Sequence, residues 1–237
     1  MARAALVTGA ARGIGRAIAL GLAGRGFDVA VHYRTSLEGA RKTAALVRRA
    51  GRRSLLVQGD LTDSAAARAV VEGAARSLGG LAVVVNNVGD YLYKPLEEVS
   101  PEEWRAVLDS NLATAFHVSQ AALPYLLAGG WGRIVFLGYA GAGQCVAKPH
   151  ITPYFIAKTG VVLYAKALAA RLASRGVTVN VVAPGVAESS VTQPLREIPA
   201  GRAARLEELV EVVGYFVSEA ADYVTGQVLE VAGGWNL

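Results

Sequence analysis

Seven short, almost uninterrupted apolar runs, at 4–7, 29–33, 54–57, 82–85, 134–137, 177–182 and 227–231, alternate with longer stretches of helical periodicity. A strand that is apolar at nearly every position, rather than at every second one, is buried on both faces. Crossover helices above and below a parallel sheet supply that burial. The helical stretches fall near 14–25, 37–50, 64–78, 101–128, 154–174 and 205–218. Gly51, Gly79, Gly129 and Gly176 stand at or just past helix ends, where a left-handed residue closes the last turn. Ser100, Pro101 and Glu103 mark a helix start, with an N-cap serine and proline at the first helical position. The pattern predicts an α/β fold, a doubly wound seven-stranded parallel sheet with helices on both faces, and a length of 237 residues suits one domain, 1–237.

In such a sheet ligands bind beyond the carboxyl ends of the strands, where the strand order reverses, so residues that follow strands are the functional candidates. Directly after the first strand comes TGAARGIG, in which Gly9, Gly13 and Gly15 lead into a helix. Glycine allows a tight turn and close approach of a phosphate, and the free amides and dipole of a helix N-terminus favour the anion. A glycine-rich turn with no ligand looks the same, and the spacing departs from G-x-G-x-x-G. Other strand ends add weight: Asp60 and Leu61 follow the third strand, and Asn86, Asn87, Val88 and Gly89 follow the fourth. After the second strand stand Tyr33, Arg34, Thr35 and Ser36, with no acidic residue to accept hydrogen bonds from an adenosine ribose. Arg34 is placed to meet a 2′-phosphate and Arg12, inside the glycine loop, can approach the same group, so NADP(H) is preferred over NAD(H).

Composition narrows the partners. The 24 Lys and Arg exceed the 19 Asp and Glu by a net +5, but they are scattered, which reads as solvated helix faces and not as a nucleic-acid surface. Cys145 is the sole cysteine, so neither an intrachain disulfide nor a cysteine metal cluster is expected, and no metal site is expected at all. The N-terminus runs straight into a strand pattern, and no stretch reaches the roughly 18 apolar residues of a membrane span. A soluble, cytoplasmic protein with no membrane partner is expected. The segment 188–205, rich in Ser, Thr and Pro with both charge signs, is the expected mobile loop over the substrate.

Tyr154 and Lys158 are four residues apart at the start of a helical stretch, so both side chains project from one face. A neighbouring ammonium favours phenolate over phenol and is expected to lower the tyrosine pKa toward a value useful for proton transfer. Pairs with this spacing are usually structural; what distinguishes this one is the rest of the chain. TGAARGIG, Asp60, NNVG at 86–89, Asn111 within SNLATAF, YFIAK at 154–158, Pro184-Gly185 and the terminal TGQVLEVAGG together resemble the short-chain dehydrogenase/reductase (SDR) family, and particularly its 3-oxoacyl-[acyl-carrier-protein] reductase-like members, over essentially the whole length. Each piece is weak alone and the set is specific.

The resemblance implies a single NAD(P)-binding Rossmann domain and an enzyme that moves a hydride between nicotinamide and a carbonyl or alcohol carbon. It implies that Tyr154 exchanges the proton with the substrate oxygen and that Lys158 tunes it and holds the nicotinamide ribose. Asn111 would anchor a water that relays protons to the lysine. Ile14, with the loop glycines, and Asn87 and Gly89 would line the cofactor, Asp60 would face its adenine, Pro184, Gly185 and Val186 would line the nicotinamide, and Ser189 would touch the cofactor's phosphates or carboxamide. It also implies a homo-oligomer, dimer or tetramer, built through the helices beginning near Pro101 and Tyr154 and the last strand.

One departure stands out. The family's catalytic serine follows the fifth strand, but here RIVFLGYAGAG places Gly138 and Tyr139 there, at a slightly stretched distance from Tyr154. Tyr139 keeps a hydroxyl on a larger ring, and Gln144, Thr152 and Cys145 are alternative donors to the substrate oxygen. The implied substrate is a 3-oxoacyl thioester, with a pteridine-type ring as the alternative. A cofactor-binding protein with weak or no turnover is the competing class. His117 reads as a packed or interface histidine, His150 as packing with substrate contact as the lesser option, and Tyr91 and Tyr93 as either loop packing or walls for a flat substrate.

Overall fold

The computed structural model describes residues 3–144, 146–190 and 193–236. Cys145 and two residues of the 188–205 segment lie outside these. The strands fall where the apolar runs predict: β1 (Ala4–Val7), β2 (Asp28–Tyr33), β3 (Ser54–Gln58), β4 (Val83–Asn86), β5 (Gly132–Leu137), β6 (Val177–Pro184) and β7 (Val228–Val231). They form one parallel sheet in the order β3-β2-β1-β4-β5-β6-β7, so the chain reverses direction across the sheet between β1 and β4. The helices are α1 (Gly13–Gly24), α2 (Leu37–Arg49), α3 (Ser64–Leu78), α4 (Pro101–Leu108), α5 (Thr114–Ala128), α6 (Thr152–Leu172) and α7 (Leu206–Phe216).

The side chains show why the strands are apolar throughout. Leu6, Ala30, Val84, Phe136 and Val181 face the layer of α3, α5 and α6, while Val7, Val31, Val85, Val135 and Val182 face that of α1, α2 and α7. Successive strand residues therefore enter opposite cores, and a fully buried Val or Leu contributes about 1.5–3 kcal/mol over its exposed state. None of the described helices is long and apolar enough to cross a membrane.

One expectation needs correction. The helix expected over 101–128 is interrupted by a wide π-type turn, Asp109–Ala113, between α4 and α5. There the Asn111 side-chain amide donates to the Val107 carbonyl at 3.0 Å, competing for the acceptor that a regular helix would offer to the Asn111 backbone. At the end of α5 Gly129 is the C-cap, as expected, with φ −77°, and the next residue, Gly130, takes the left-handed conformation at φ +66°. Gly51, Gly79 and Gly176 are left-handed as expected. The segment 188–205 is tied at its ends by a bridge between Ala187 and Ala204 and by the Glu188 N–H donating to the Ala204 carbonyl at 2.9 Å.

Candidate active site

The carboxyl ends of β1 and β4 meet at the reversal point, held together by one threonine. The Thr8 hydroxyl accepts the backbone N–H groups of Asn87 (2.8 Å) and Val88 (3.1 Å), and the Asn87 side chain donates to the Thr8 carbonyl at 3.0 Å. Gly9 and Gly13 have φ +63° and +53°, a region costly for other residues. A Cβ on Gly15 would lie 2.4 Å from the Gly9 carbonyl oxygen, so the loop and the first turn of α1 touch backbone to backbone. That turn carries no acidic residue and its N-cap, Arg12, makes no side-chain capping bond, which fits an anion at the helix N-terminus.

Beside this loop lies a cavity of about 290 Å³ lined by Gly9, Arg12, Arg34, Ser36, Asp60, Leu61, Asn87 and Gly89, among others. Arg34 and Arg12 thus reach one cavity, as the sequence pattern predicts. Arg34 also stands 4.0 Å from Asp60, both half exposed. The Thr62 hydroxyl and backbone N–H hold the Asp60 carboxyl below its usual range, with Arg34 adding to the effect. His32, which no sequence motif singles out, is buried in the wall of the same cavity. The Gly9 N–H donates to its Nδ1 at 3.1 Å, which makes Nε2 the donor to the Gly59 carbonyl, also at 3.1 Å, and the ring neutral.

Burial lowers the His32 pKa below 6.5, against an opposing bond to Gly59 and the Asp60 charge. The unfolded chain takes up a proton near pH 6.5 where the folded one resists, so stability falls as pH drops through that value. His32→Asn, whose Oδ1 overlays Nδ1 as the acceptor for Gly9, is expected to flatten this slope. Urea unfolding from about pH 5 to 7.5 checks it, and an equal slope in both proteins would remove His32 as its source.

A second cavity, of about 340 Å³, adjoins the first, with Asn87 and Gly89 in both linings. Ile14, Gly138, Tyr139, Tyr154, Lys158, Pro184, Gly185, Val186 and Ser189 line it, so the residues expected along nicotinamide and substrate converge from the ends of β4, β5 and β6. Lys158 is buried and donates to the Leu137 carbonyl at 2.8 Å. Asn111, in the π-type turn, donates to the carbonyls of Asp90 (2.9 Å) and Val107. Its Oδ1 is buried with no partner and faces Gly89: a Cβ there would lie 2.1 Å from that oxygen and 3.4 Å from the Lys158 Nζ. An unpaired acceptor beside an ammonium, in the gap a glycine leaves, fits the water expected between Asn111 and Lys158.

The expected acidity of Tyr154 is not met. Burial, then the neighbouring Tyr139 and Tyr91, push its pKa above 10, and Lys158 does not offset this. The reason is geometric: Lys158 Nζ lies 5.5 Å from the centre of the Tyr154 ring and spends its bond on Leu137. Burial also draws the Lys158 ammonium down to about 8. Tyr154 is therefore a phenol near neutral pH, a proton donor.

The alternative donors resolve as well. The Gln144 amide donates to the Asn236 carbonyl at 2.8 Å and the Thr152 hydroxyl to the Lys148 carbonyl at 2.9 Å, so both are occupied away from the cavity, while Cys145 lies outside the described residues. Tyr139 does line the cavity, as a phenol whose pKa burial pushes up to about 12. Of the aromatic pair, Tyr91 lines the cavity, and Tyr93 is exposed and stacks on His150 at 5.3 Å. The His117 Nδ1 pairs with the Leu61 carbonyl at 3.0 Å and packs against Phe116, away from both cavities. Two residues that sequence reasoning misses altogether are Trp235, which lines the cavity and meets the Tyr139 ring, and Asn236, whose amide donates to the Ala140 carbonyl next to Tyr139. The hint is positional, since GGWN directly follows the end of the last strand.

The family described as enoyl-(acyl carrier protein) reductase matches residues 9–236. The 3-oxoacyl-[acyl-carrier-protein] reductase FabG of Staphylococcus aureus (strain Mu50 / ATCC 700699) is 37% identical over 243 residues, which cover 99% of this chain and 98% of the relative. The FabG of Escherichia coli (strain K12) is 36% identical over 239 residues, 97% of this chain and 96% of its own. Among solved structures, a short chain dehydrogenase from Burkholderia cenocepacia J2315 in complex with NADP superposes with a TM-score of 0.93 at 32% identity, covering 98% of this chain and 97% of its own. An acetoin dehydrogenase from Enterobacter cloacae does so with a TM-score of 0.92 at 32% identity, over 99% and 96%.

Proposed function

The chain belongs to the short-chain dehydrogenase/reductase family and is an oxidoreductase of that family, and from this premise we propose that it reduces a carbonyl to an alcohol with NADPH as hydride donor. The observation that carries the reading is the continuity of the two cavities through Asn87 and Gly89, which leads from the arginines at one end to Tyr154 and Lys158 at the other. A nicotinamide seated along Pro184, Gly185 and Val186 would supply the hydride. Tyr154 donates its phenolic proton to the carbonyl oxygen, and its raised pKa suits reduction more than alcohol oxidation near neutral pH. Lys158, held by Leu137, and the Asn111 Oδ1 pass a replacement proton inward through a water. Tyr139, which lines the cavity, takes the place of the family serine as second donor to the oxygen.

The named activity of the FabG relatives makes a 3-oxoacyl thioester the first substrate to assay, with a pteridine-type ring as the second. The proposal places both sites in one domain, with 188–205 as the loop that moves over the substrate, in a cytoplasmic dimer or tetramer. Exposed Phe116, Ile156 and Leu163 on α5 and α6 support such assembly. The test follows NADPH absorbance with ketones, 3-oxoacyl thioesters and dihydropteridines; cofactor binding with no consumption on any of them would favour a binding protein without turnover.

Arg34 carries the cofactor preference. A charged hydrogen bond to phosphate is worth about 1.5–3 kcal/mol, so Arg34→Ala is expected to raise the KM for NADPH about 10- to 100-fold and leave that for NADH nearly unmoved. Equal effects on both cofactors would remove the 2′-phosphate contact from the proposal.

A further inference from the structure

The inner cavity is walled by rings, and one of them comes from the chain's last residues. Tyr91 meets Tyr154 edge-on at 5.0 Å and 81°, Tyr139 meets it at 5.6 Å and 82°, and Trp235 meets Tyr139 at 5.8 Å and 83°. Trp235 also closes on the cofactor side, since a Cβ on Gly185 would lie 3.3 Å from its ring. We propose that Tyr91, Tyr139 and Trp235 form a preformed aromatic slot that selects a carbonyl carried on a flat ring system over one carried on a linear acyl chain, with the C-terminal Trp235-Asn236 pair as the specificity element.

Three features support this. The C-terminal wall is anchored before substrate arrives: the Trp235 indole N–H donates to Glu197 at 3.4 Å, the Asn236 amide donates to the Ala140 carbonyl at 3.2 Å, and Lys148 donates to the Asn236 Oδ1 at 3.0 Å, while Tyr91 opposite is 45% exposed. The loop beneath is fixed too, because the Gly141 N–H donates to Glu230 at 2.9 Å. Rigid aromatic walls reward a ligand that already has a plane to stack and loses no torsional freedom, whereas a flexible chain must be ordered first. Finally, a partly open cavity of about 340 Å³ is near the lower end for ligand sites, and it includes the Pro184–Val186 wall where the nicotinamide is placed, which limits the enclosed space left for a substrate. Tyr139 stands where the family serine would be and lines the cavity with a ring in place of a short side chain.

The inference rests on the carbonyl-reductase reading, and the test separates the two. With NADPH, kcat/KM is measured for 1-tetralone, for its saturated and non-planar counterpart 1-decalone, and for an acetoacetyl thioester, in wild type, Trp235→Ala, Trp235→Phe and Tyr139→Phe. The wild type is expected to prefer 1-tetralone over both others by about tenfold or more, as two stacked walls at about 3- to 10-fold each would give. Trp235→Ala is expected to lower the ratio of 1-tetralone to thioester by a similar factor, mainly through KM, and Trp235→Phe to restore most of it. Tyr139→Phe, which keeps the ring and loses the hydroxyl, lowers kcat and leaves the ratio in place. A wild type that prefers the thioester, or a ratio that Trp235→Ala does not move while NADPH still binds, overturns the slot and leaves the reductase standing. No turnover of any of the three carbonyls overturns the reductase reading itself.

Discussion

Replacing Tyr154 by phenylalanine is expected to cut kcat for carbonyl reduction by about 100- to 10,000-fold, the usual contribution of a positioned general acid, with NADPH binding retained. The substitution removes one oxygen. Its ring keeps the edge-on contacts to Tyr91 and Tyr139, so the effect is expected in chemistry and not in folding. Lys158 cannot take over. Its ammonium points to the Leu137 carbonyl, and the other phenols of the cavity lining are Tyr91 and Tyr139. The measurement is steady-state turnover beside NADPH titration by fluorescence. Turnover within a few-fold of wild type would transfer the acid role to Tyr139, and the double variant with Tyr139→Phe would then be the inactive one.

The second large effect is expected at Gly15, where alanine should abolish NADPH binding and lower stability by about 1–3 kcal/mol. The added Cβ would stand 2.4 Å from the Gly9 carbonyl oxygen and 2.6 Å from the Asn87 amide nitrogen. The first of these is backbone and cannot swing aside, and the second belongs to the side chain that ties β4 to Thr8. Relief requires the glycine loop to move off the helix N-terminus, which is the placement a phosphate needs. The residue is an ordinary right-handed helical one, so contact and not backbone freedom is responsible. Gly73 is the matched control: it lies in α3, a Cβ there would meet nothing within 4 Å, and alanine should stabilise by about 0.5–1 kcal/mol. Thermal unfolding and NADPH titration distinguish the two, and wild-type affinity in Gly15→Ala would show that the loop is not the phosphate site.

Much of this is legible in the chain itself. Burial on both faces writes itself as unbroken apolar runs, and those runs locate all seven strands to within two residues at each end. Ligand chemistry at strand ends writes itself as polar or glycine-bearing residues after each run, which is why Arg34, Asp60 and Asn87 stand out before any contact is known. Local rules also mislead. The spacing of Tyr154 and Lys158 puts them on one face, but the lysine reaches a strand carbonyl at Leu137 and not the phenol, so burial governs the tyrosine and raises its pKa.

What local sequence points to, then, is the class of sheet, the candidate cofactor edge and the proposed reacting pair, because each is signalled by residues a few positions apart. The substrate side is decided only by tertiary structure. Gln144 reaches Asn236 across 92 residues. Tyr139 acquires its neighbour Trp235 only when β5 and β7 are brought to the two sides of β6. No periodicity or spacing encodes such meetings; they follow from the order in which the strands pair, and they turn a missing serine into a cavity walled by rings.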